Sequence, residues 1–492
     1  MHQQKSATAR RTRQHARGVR YPDQCAKALT MDALSLHRIA EFARAQIMRG
    51  NTETLISRVS TDSRTIKPGD LFVALHGEHF DAHNFLEQVA KAGAAGALVS
   101  CDPPPGLPQT FAILRAADTL GAYQNLAANY RKTLPLKVLG ITGSNGKTST
   151  KDFAASILGR AFRVTKTEGN FNNHVGLPRT ILEANRDHQF AVWELGMNHP
   201  GEIAALARIA SPDAGIITNI GIAHIEFMGS REAIAQEKGA LPEAIDPGGF
   251  VVLNADDDFS ASIANRTCAR VIFAGIEEGA IRAIEVQQTA GGCEFTIVEG
   301  AHRCRAQLPV PGLHMVQNAI LAVAAGRAFG VSLEECAAGL VSAPLAKARL
   351  QIREIHGVQF IDDSYNANPD SMKAALRTLM ELDSDGKRIA VLGRMLELGA
   401  ESERGHREVG EAAATLGVDH LISIGNDTIA LAAEQAGLEN SAIAQDASDA
   451  AEILNEIVGP GDLVLIKGSR SSRTELVLDE FVKLHPVGGN LR

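Results

Sequence analysis

Aromatic residues are scarce in this 492-residue chain, at 4%, with one Trp and four Tyr. A core of that composition has to be built from Ala, Val, Ile and Leu, which together with 45 glycines suits an α/β protein. The six cysteines, Cys25, Cys101, Cys268, Cys293, Cys304 and Cys336, form no C-x-x-C pair. This argues against a zinc ribbon or redox dithiol and suits free thiols in a reducing cytosol. No apolar run approaches the roughly 20 residues that cross a bilayer. The first 22 residues lack acids and carry six Lys or Arg, without the apolar stretch of a secretory signal. A disordered basic tail over 1–30 is expected, or an extension ahead of a start at Met31; an organelle transit peptide is the other reading. Without that head the net charge of −8 becomes about −14, which disfavours a nucleic-acid partner. Bound phosphate must then be held by a local device.

That device is "GITGSNGKTSTKD", residues 140–152. It nearly spells G-x-x-x-x-G-K-[ST], but Ile141 stands where the first glycine belongs, with Gly140 and Gly143 on either side. The apolar run "KVLGIT" before it reads as a strand and "TSTKDFAASILG" after it as a helix. A strand–loop–helix turn gathers backbone N–H groups and the positive end of a helix dipole around one point. Gly143 and Gly146 permit close backbone approach to an anion. Ser144, Asn145 and Ser149 complete the expected ATP contacts, with Lys147 reaching the β- and γ-phosphates and Thr148 a Mg²⁺. The alternative is a plain glycine-rich turn.

The chain divides into three blocks. The first, 31–108, holds strand candidates "DLFVALHG" and "GAAGALVS" around a helix, and ends at "CDPPPGLPQ", where three prolines mark a linker. The second, 109–347, alternates strands ("FAVWEL", "AGIITNI", "GFVVLNAD") with helices, the signature of βαβ units and a mostly parallel sheet. The third, 348–492, repeats the style in "VQFIDDSY", "RIAVLGRM", "HLISIG" and "DLVLIKGSR" and reads as a Rossmann-like domain. The fold expectation is therefore three-domain α/β, with a P-loop-like ATPase domain in the middle.

The loop spacing G-[IV]-T-G-[ST]-N-G-K-[ST] resembles that of the Mur ligases, ATP-dependent amino-acid ligases of peptidoglycan synthesis. Along nearly the whole chain after Met31 further segments resemble the family in order: "STDSRTIKPGDLFVALHGEHFDAHNF", "TEGNFNNHVGLPRTIL", "ELGMNHPGEI", "NIGIAHIEFMGS" and "LNADDD". "DDSYNANPDSM" and "LELGAESERGHREVG" resemble the member that joins D-alanyl-D-alanine to UDP-N-acetylmuramoyl-tripeptide. The resemblance implies a small N-terminal UDP-binding domain and a route through an acyl phosphate. It also implies catalytic roles for Lys147, Glu194, His224, Lys238 and Arg349. Thr148, Glu194 and His224 match metal positions for what are expected to be two Mg²⁺ ions. Lys238 matches a lysine that several members carbamylate into a further metal ligand. Taken alone, His224 reads as an ordinary loop histidine and Lys238 as an exposed helix lysine. Asn318, Asp363, Asn366 and Asn368 match nucleotide contacts. Ser63 and Arg64 are expected at the uridine diphosphate, Asn170, Asn172 and Asn173 at sugar and phosphate oxygens, and Lys467, Ser469 and Arg470 at the dipeptide or acyl phosphate.

Two departures stand out. The family's usual P-G-R-L reads here with Lys347 and Ala348 before Arg349, and Arg394 stands where aspartate is usual. For Arg394 a cross-domain salt bridge of swapped polarity is the expectation. A cytoplasmic monomer that opens and closes about a hinge is expected, with no nucleic acid and no membrane insertion. The sister ligase that adds the third peptide residue, a folate polyglutamylating ligase and a non-enzymatic nucleotide switch are the rival readings.

Overall fold

The computed structural model describes residues 30–77, 80–289, 291–344 and 346–484. The expected basic tail lies outside the described residues, apart from Thr30. Three principal sheets appear, and the fold is α/β with mostly parallel strands.

The first sheet runs, edge to edge, Gln46–Arg49, Ala112–Arg115, Gly96–Val99, Leu71–Val73, Val59–Ser60, with only the first of these antiparallel to its neighbour. The strand Ala112–Arg115 thus lies beyond the proline linker yet pairs inside this sheet. The change of sheet comes after it, not at residue 108. Three prolines interrupt hydrogen bonding locally but do not stop the chain from returning to the same layer.

Among the described residues the central sheet has nine strands. Lys137–Thr142 sits inside it, between Phe190–Glu194 and Ala214–Ile217. Phe190–Glu194 is buried along its whole length, as a central strand covered on both faces must be. At the far edge Ile281–Thr289, Gly292–Glu299 and His302–Leu308 form an antiparallel extension. Sequence reasoning did not foresee it, because its alternating polar residues, as in "IRAIEVQQT", give no continuous apolar run. The third sheet has the order Gln351–Ile355, Val358–Asp362, Leu463–Lys467, Arg388–Gly393, His420–Ile424, Ser441–Ala444, parallel except for its first strand. Among the described residues no helix is long and apolar enough to cross a membrane, and the five cysteines there are free.

Candidate active site

The phosphate loop follows from its strand. Lys137–Thr142 delivers Gly143–Gly146, and the helix Lys147–Gly159 starts at once. Gly143 has φ 150° and Gly146 φ 80°. A Cβ on Gly143 would lie 1.8 Å from Thr218 Oγ1, and one on Gly146 2.1 Å from Asn318 Oδ1. Both glycines are therefore required by dihedral and by space. Asn318, expected at the nucleotide base, backs the loop itself.

The neighbouring strands end level with the loop strand and supply its surroundings. Glu194 pairs in register with Ile141, and Ile217 with Thr142. From one side the 3% exposed Glu194 carboxylate accepts from Thr148 Oγ1 at 2.9 Å and from Asn172 Nδ2 at 2.8 Å. From the other, Asn219 Oδ1 accepts from Asn145 N at 2.9 Å, and Asn219 O from Ser144 N at 2.9 Å. Thr218 and Asn219 were missed in the sequence, although the polar pair closing "AGIITN" at a strand end is the usable signal. Ser149 is buried in the first turn of the helix.

Lys147 Nζ donates to the Gly143 and Ser144 carbonyls at 2.8 and 3.3 Å, folded over its own loop. Burial lowers its pKa; the Glu194 carboxylate opposes this and the Arg349 guanidinium adds to it. Lys238 is 1% exposed at the end of the helix Arg231–Lys238, so it is no exposed helix lysine. Desolvation drives its pKa well down, the Lys147 charge adds to the fall, and Glu237 opposes it. No carboxylate of the described residues forms an ion pair with it.

The third domain meets this loop directly. Arg349 donates to Thr148 Oγ1 at 3.1 Å and stacks on the Tyr365 ring at 4.3 Å. Its flanking residues Ala348 and Leu350 both have left-handed backbones, at φ 56° and 51°. Asn368 caps the helix Pro369–Glu381 in a reciprocal pair with Ser371, and its Nδ2 donates to Asn145 Oδ1 at 2.7 Å. Asp370 Oδ2 accepts from Ile222 N at 3.1 Å. His224 Nδ1 lies 2.5 Å from Glu397 Oε2.

Other candidates pair among themselves. Val358–Asp362 and Leu463–Lys467 are adjacent parallel strands, which brings Asp363 and Lys467 together at their carboxyl ends. Lys467, 3% exposed, holds Asp363 Oδ2 at 2.5 Å and the carbonyl of the exposed residue Asn366 at 3.0 Å. The expected substrate lysine is thus engaged by the expected nucleotide aspartate. Ser469 is buried among Ser471 and Ser472, and the exposed Arg470 pairs with Glu475 at 3.2 Å. Arg394 has an exposed side chain and forms no ion pair among the described residues, so the swapped salt bridge is not there. Its carbonyl instead accepts from Ser469 N and Ser472 Oγ.

In the segment expected at the uridine diphosphate, Asp62 caps the turn Ser63–Thr65 and binds the Arg64 guanidinium at 2.9 and 2.8 Å. That hydrogen bond leads the causes holding Asp62 near pKa 2; Arg179, from the helix Gly176–Leu182, contributes as well. Asn173 Oδ1 caps the entry to that helix, accepting from Val175 N and Gly176 N. The exposed Asn170 accepts from Asn172 N at 2.8 Å. The asparagine loop is thus built from its own amides and points one of them, Asn172, at Glu194.

A buried acid, a hydroxyl and two cations around a strand–loop–helix turn define an anion-activating site. The chain belongs to the Mur ligase family: residues 141–326 match the Mur ligase middle domain, and 348–470 the Mur ligase glutamate ligase domain. Within that family it is similar to UDP-N-acetylmuramoyl-tripeptide–D-alanyl-D-alanine ligase of Bacillus subtilis, 36% identical over 91% of this chain and 98% of the relative. Among solved structures it is similar to MurF from Acinetobacter baumannii, with a TM-score of 0.86 and 35% identity over 92% of this chain and 99% of that one. It is also similar to MurF of Thermotoga maritima in complex with ADP, with a TM-score of 0.78 and 28% identity over 87% and 97%.

Proposed function

We propose that this chain is the cytoplasmic ligase, acting as a monomer, that joins D-alanyl-D-alanine to UDP-N-acetylmuramoyl-tripeptide with conversion of ATP to ADP and phosphate. The observation that carries the reading is the convergence of Glu194 and Arg349 on one hydroxyl, Thr148, at the head of the loop helix. Similarity to the Bacillus subtilis ligase over nearly its whole length supports the substrates.

A carboxylate makes no amide in water, because its oxygen is a poor leaving group. In the proposed route a terminal carboxylate oxygen of the tripeptide attacks the γ-phosphorus, and the bond to the ADP oxygen breaks. The dipeptide's neutral amine then attacks the acyl carbon, the C–O bond to phosphate breaks, and the amine loses its proton. Two anions must first meet. At 4 Å their bare repulsion is about 4 kcal/mol at an effective dielectric of 20. Lys147 and Arg349 offset it from opposite domains, and the backbone amides at the head of the loop helix, 146–148, hold the phosphates in line.

The donor set suits Mg²⁺. Among the described residues no three His, Cys, Asp or Glu side chains converge on one point. One buried carboxylate and a hydroxyl beside substrate phosphates are what a Mg²⁺ site of the nucleotide-bound kind needs. Thr148 and Glu194 would hold it. His224, with Nδ1 engaged by Glu397, keeps Nε2 for a ligand. A bound Mg²⁺ would neutralise charge developing between the phosphates. Burial that favours a neutral Lys238 amine supports its carbamylation, since the free amine is the form that takes up CO₂; the product would add a carboxylate oxygen to the set.

The test is phosphate release with UDP-N-acetylmuramoyl-tripeptide and ATP, offering D-Ala-D-Ala, D-Ala or nothing. Turnover is expected with the dipeptide alone. Release that is independent of the acceptor, or that instead needs UDP-N-acetylmuramoyl-dipeptide and a single amino acid, would overturn the reading.

A further inference from the structure

Glu397 lies in the turn between the strand Arg388–Gly393 and the helix Ser402–Leu416 of the third domain. Its carboxylate meets His224 of the central domain at 2.5 Å. Its carbonyl accepts from Glu226 N at 3.2 Å, so the turn grips the histidine segment by side chain and backbone. Gly399 lets that segment approach: a Cβ there would stand 3.1 Å from Glu226 Cβ and Cγ.

Both partners carry a backbone cost. His224 has φ 62° and Glu397 φ 60°, in the left-handed region that L-residues avoid. A casual surface ion pair needs no such strain at both ends; strain kept on two sides of one contact points to a required geometry. The turn is also rigidly seated. Met395 and Leu398 are each 2% exposed, and Met395 N donates to His406 Nε2 at 2.9 Å.

We infer that Glu397 is a positioning residue for His224. By accepting from Nδ1–H, it fixes the imidazole tautomer and leaves the Nε2 lone pair free for a ligand, and it does so only while the third domain is docked. The inference rests on the proposed ligase reaction. Its chemistry is general: a carboxylate on one ring nitrogen sets the proton, the orientation and the basicity of the other. Because the carboxylate arrives from a different domain, the histidine is fully oriented only after docking. Closure and assembly of the site become one event.

The experiment compares Glu397→Ala, Glu397→Gln and His224→Ala with the full wild-type chain. Turnover is measured, and so are the ¹⁵N resonances of the His224 ring in histidine-labelled protein, assigned by their loss in His224→Ala. The wild-type ring is expected as the Nδ1–H tautomer. Glu397→Ala should become a tautomer mixture and lose about 10- to 100-fold in kcat, with KM for the UDP-tripeptide unchanged. Glu397→Gln, which still offers an acceptor oxygen, should keep more of both. A wild-type ring protonated on Nε2 alone would overturn the inference even if no variant folded. So would wild-type kcat in Glu397→Ala beside an inactive His224→Ala. Full activity in His224→Ala would instead refute the role given to His224 in the proposed reaction.

Discussion

Asn368 Nδ2 donates to Asn145 Oδ1 at 2.7 Å, which bonds the helix cap of one domain to the phosphate loop of another. The same asparagine's Oδ1 accepts from Ser371 N at 3.0 Å. One side chain therefore starts the helix Pro369–Glu381 and holds the domain against the loop.

The two roles separate by substitution. Asn368→Asp keeps the cap acceptor but cannot donate to Asn145. Asn368→Ala loses both, and a lost cap costs about 1 kcal/mol. Thermal melting should show Asn368→Ala destabilised and Asn368→Asp near wild type. Both should show a raised KM for ATP. An Asn368→Asp variant with unchanged KM would mean that the loop does not use this bond.

The hinge makes a second prediction. Ala348 has φ 56° at the position where the family usually has glycine. A left-handed L-residue costs roughly 1–2 kcal/mol, of which glycine's larger unfolded-state entropy takes back roughly 0.5–1. Ala348→Gly should therefore stabilise the chain by about 0.5–1 kcal/mol, read as a higher urea midpoint. A lower midpoint would contradict the backbone geometry described for the hinge.

His314 gives a pH dependence. Burial pushes its ring down to about 4; the Asp363 carboxylate opposes this and the Lys467 ammonium adds to it. An unfolded histidine titrates near 6.5. Between those values the unfolded chain binds a proton that the folded chain refuses, so stability falls as pH drops from about 6.5 to about 4. His314→Gln should lose less melting temperature over that interval than the wild type does. Equal losses would remove His314 from the explanation.

The central domain was legible because its chemistry is local. Strand, glycines, lysine and helix in "KVLGITGSNGKTSTKD" are consecutive, and the structure builds Lys137–Thr142 and Lys147–Gly159 from them. Glu194 could be named only through the family resemblance; that its strand neighbours the loop strand is seen in the structure. What depends on distant pairing was not legible. Lys467 was expected to face substrate, and only the adjacency of two strands 104 residues apart shows it bound to Asp363. Glu397 stood in plain sight within "LELGAESERG", but its partner His224 is 173 positions away. Ala112–Arg115 was assigned across a linker because prolines announce a break and not which sheet follows it.

The most direct test of the account labels both oxygens of the tripeptide's terminal carboxylate with ¹⁸O and weighs the phosphate released during ligation to D-Ala-D-Ala. Attack by that carboxylate on ATP, then loss of phosphate from the acyl carbon, moves one labelled oxygen into each phosphate. One ¹⁸O per phosphate is predicted; phosphate released without label would contradict activation of the acid on this loop.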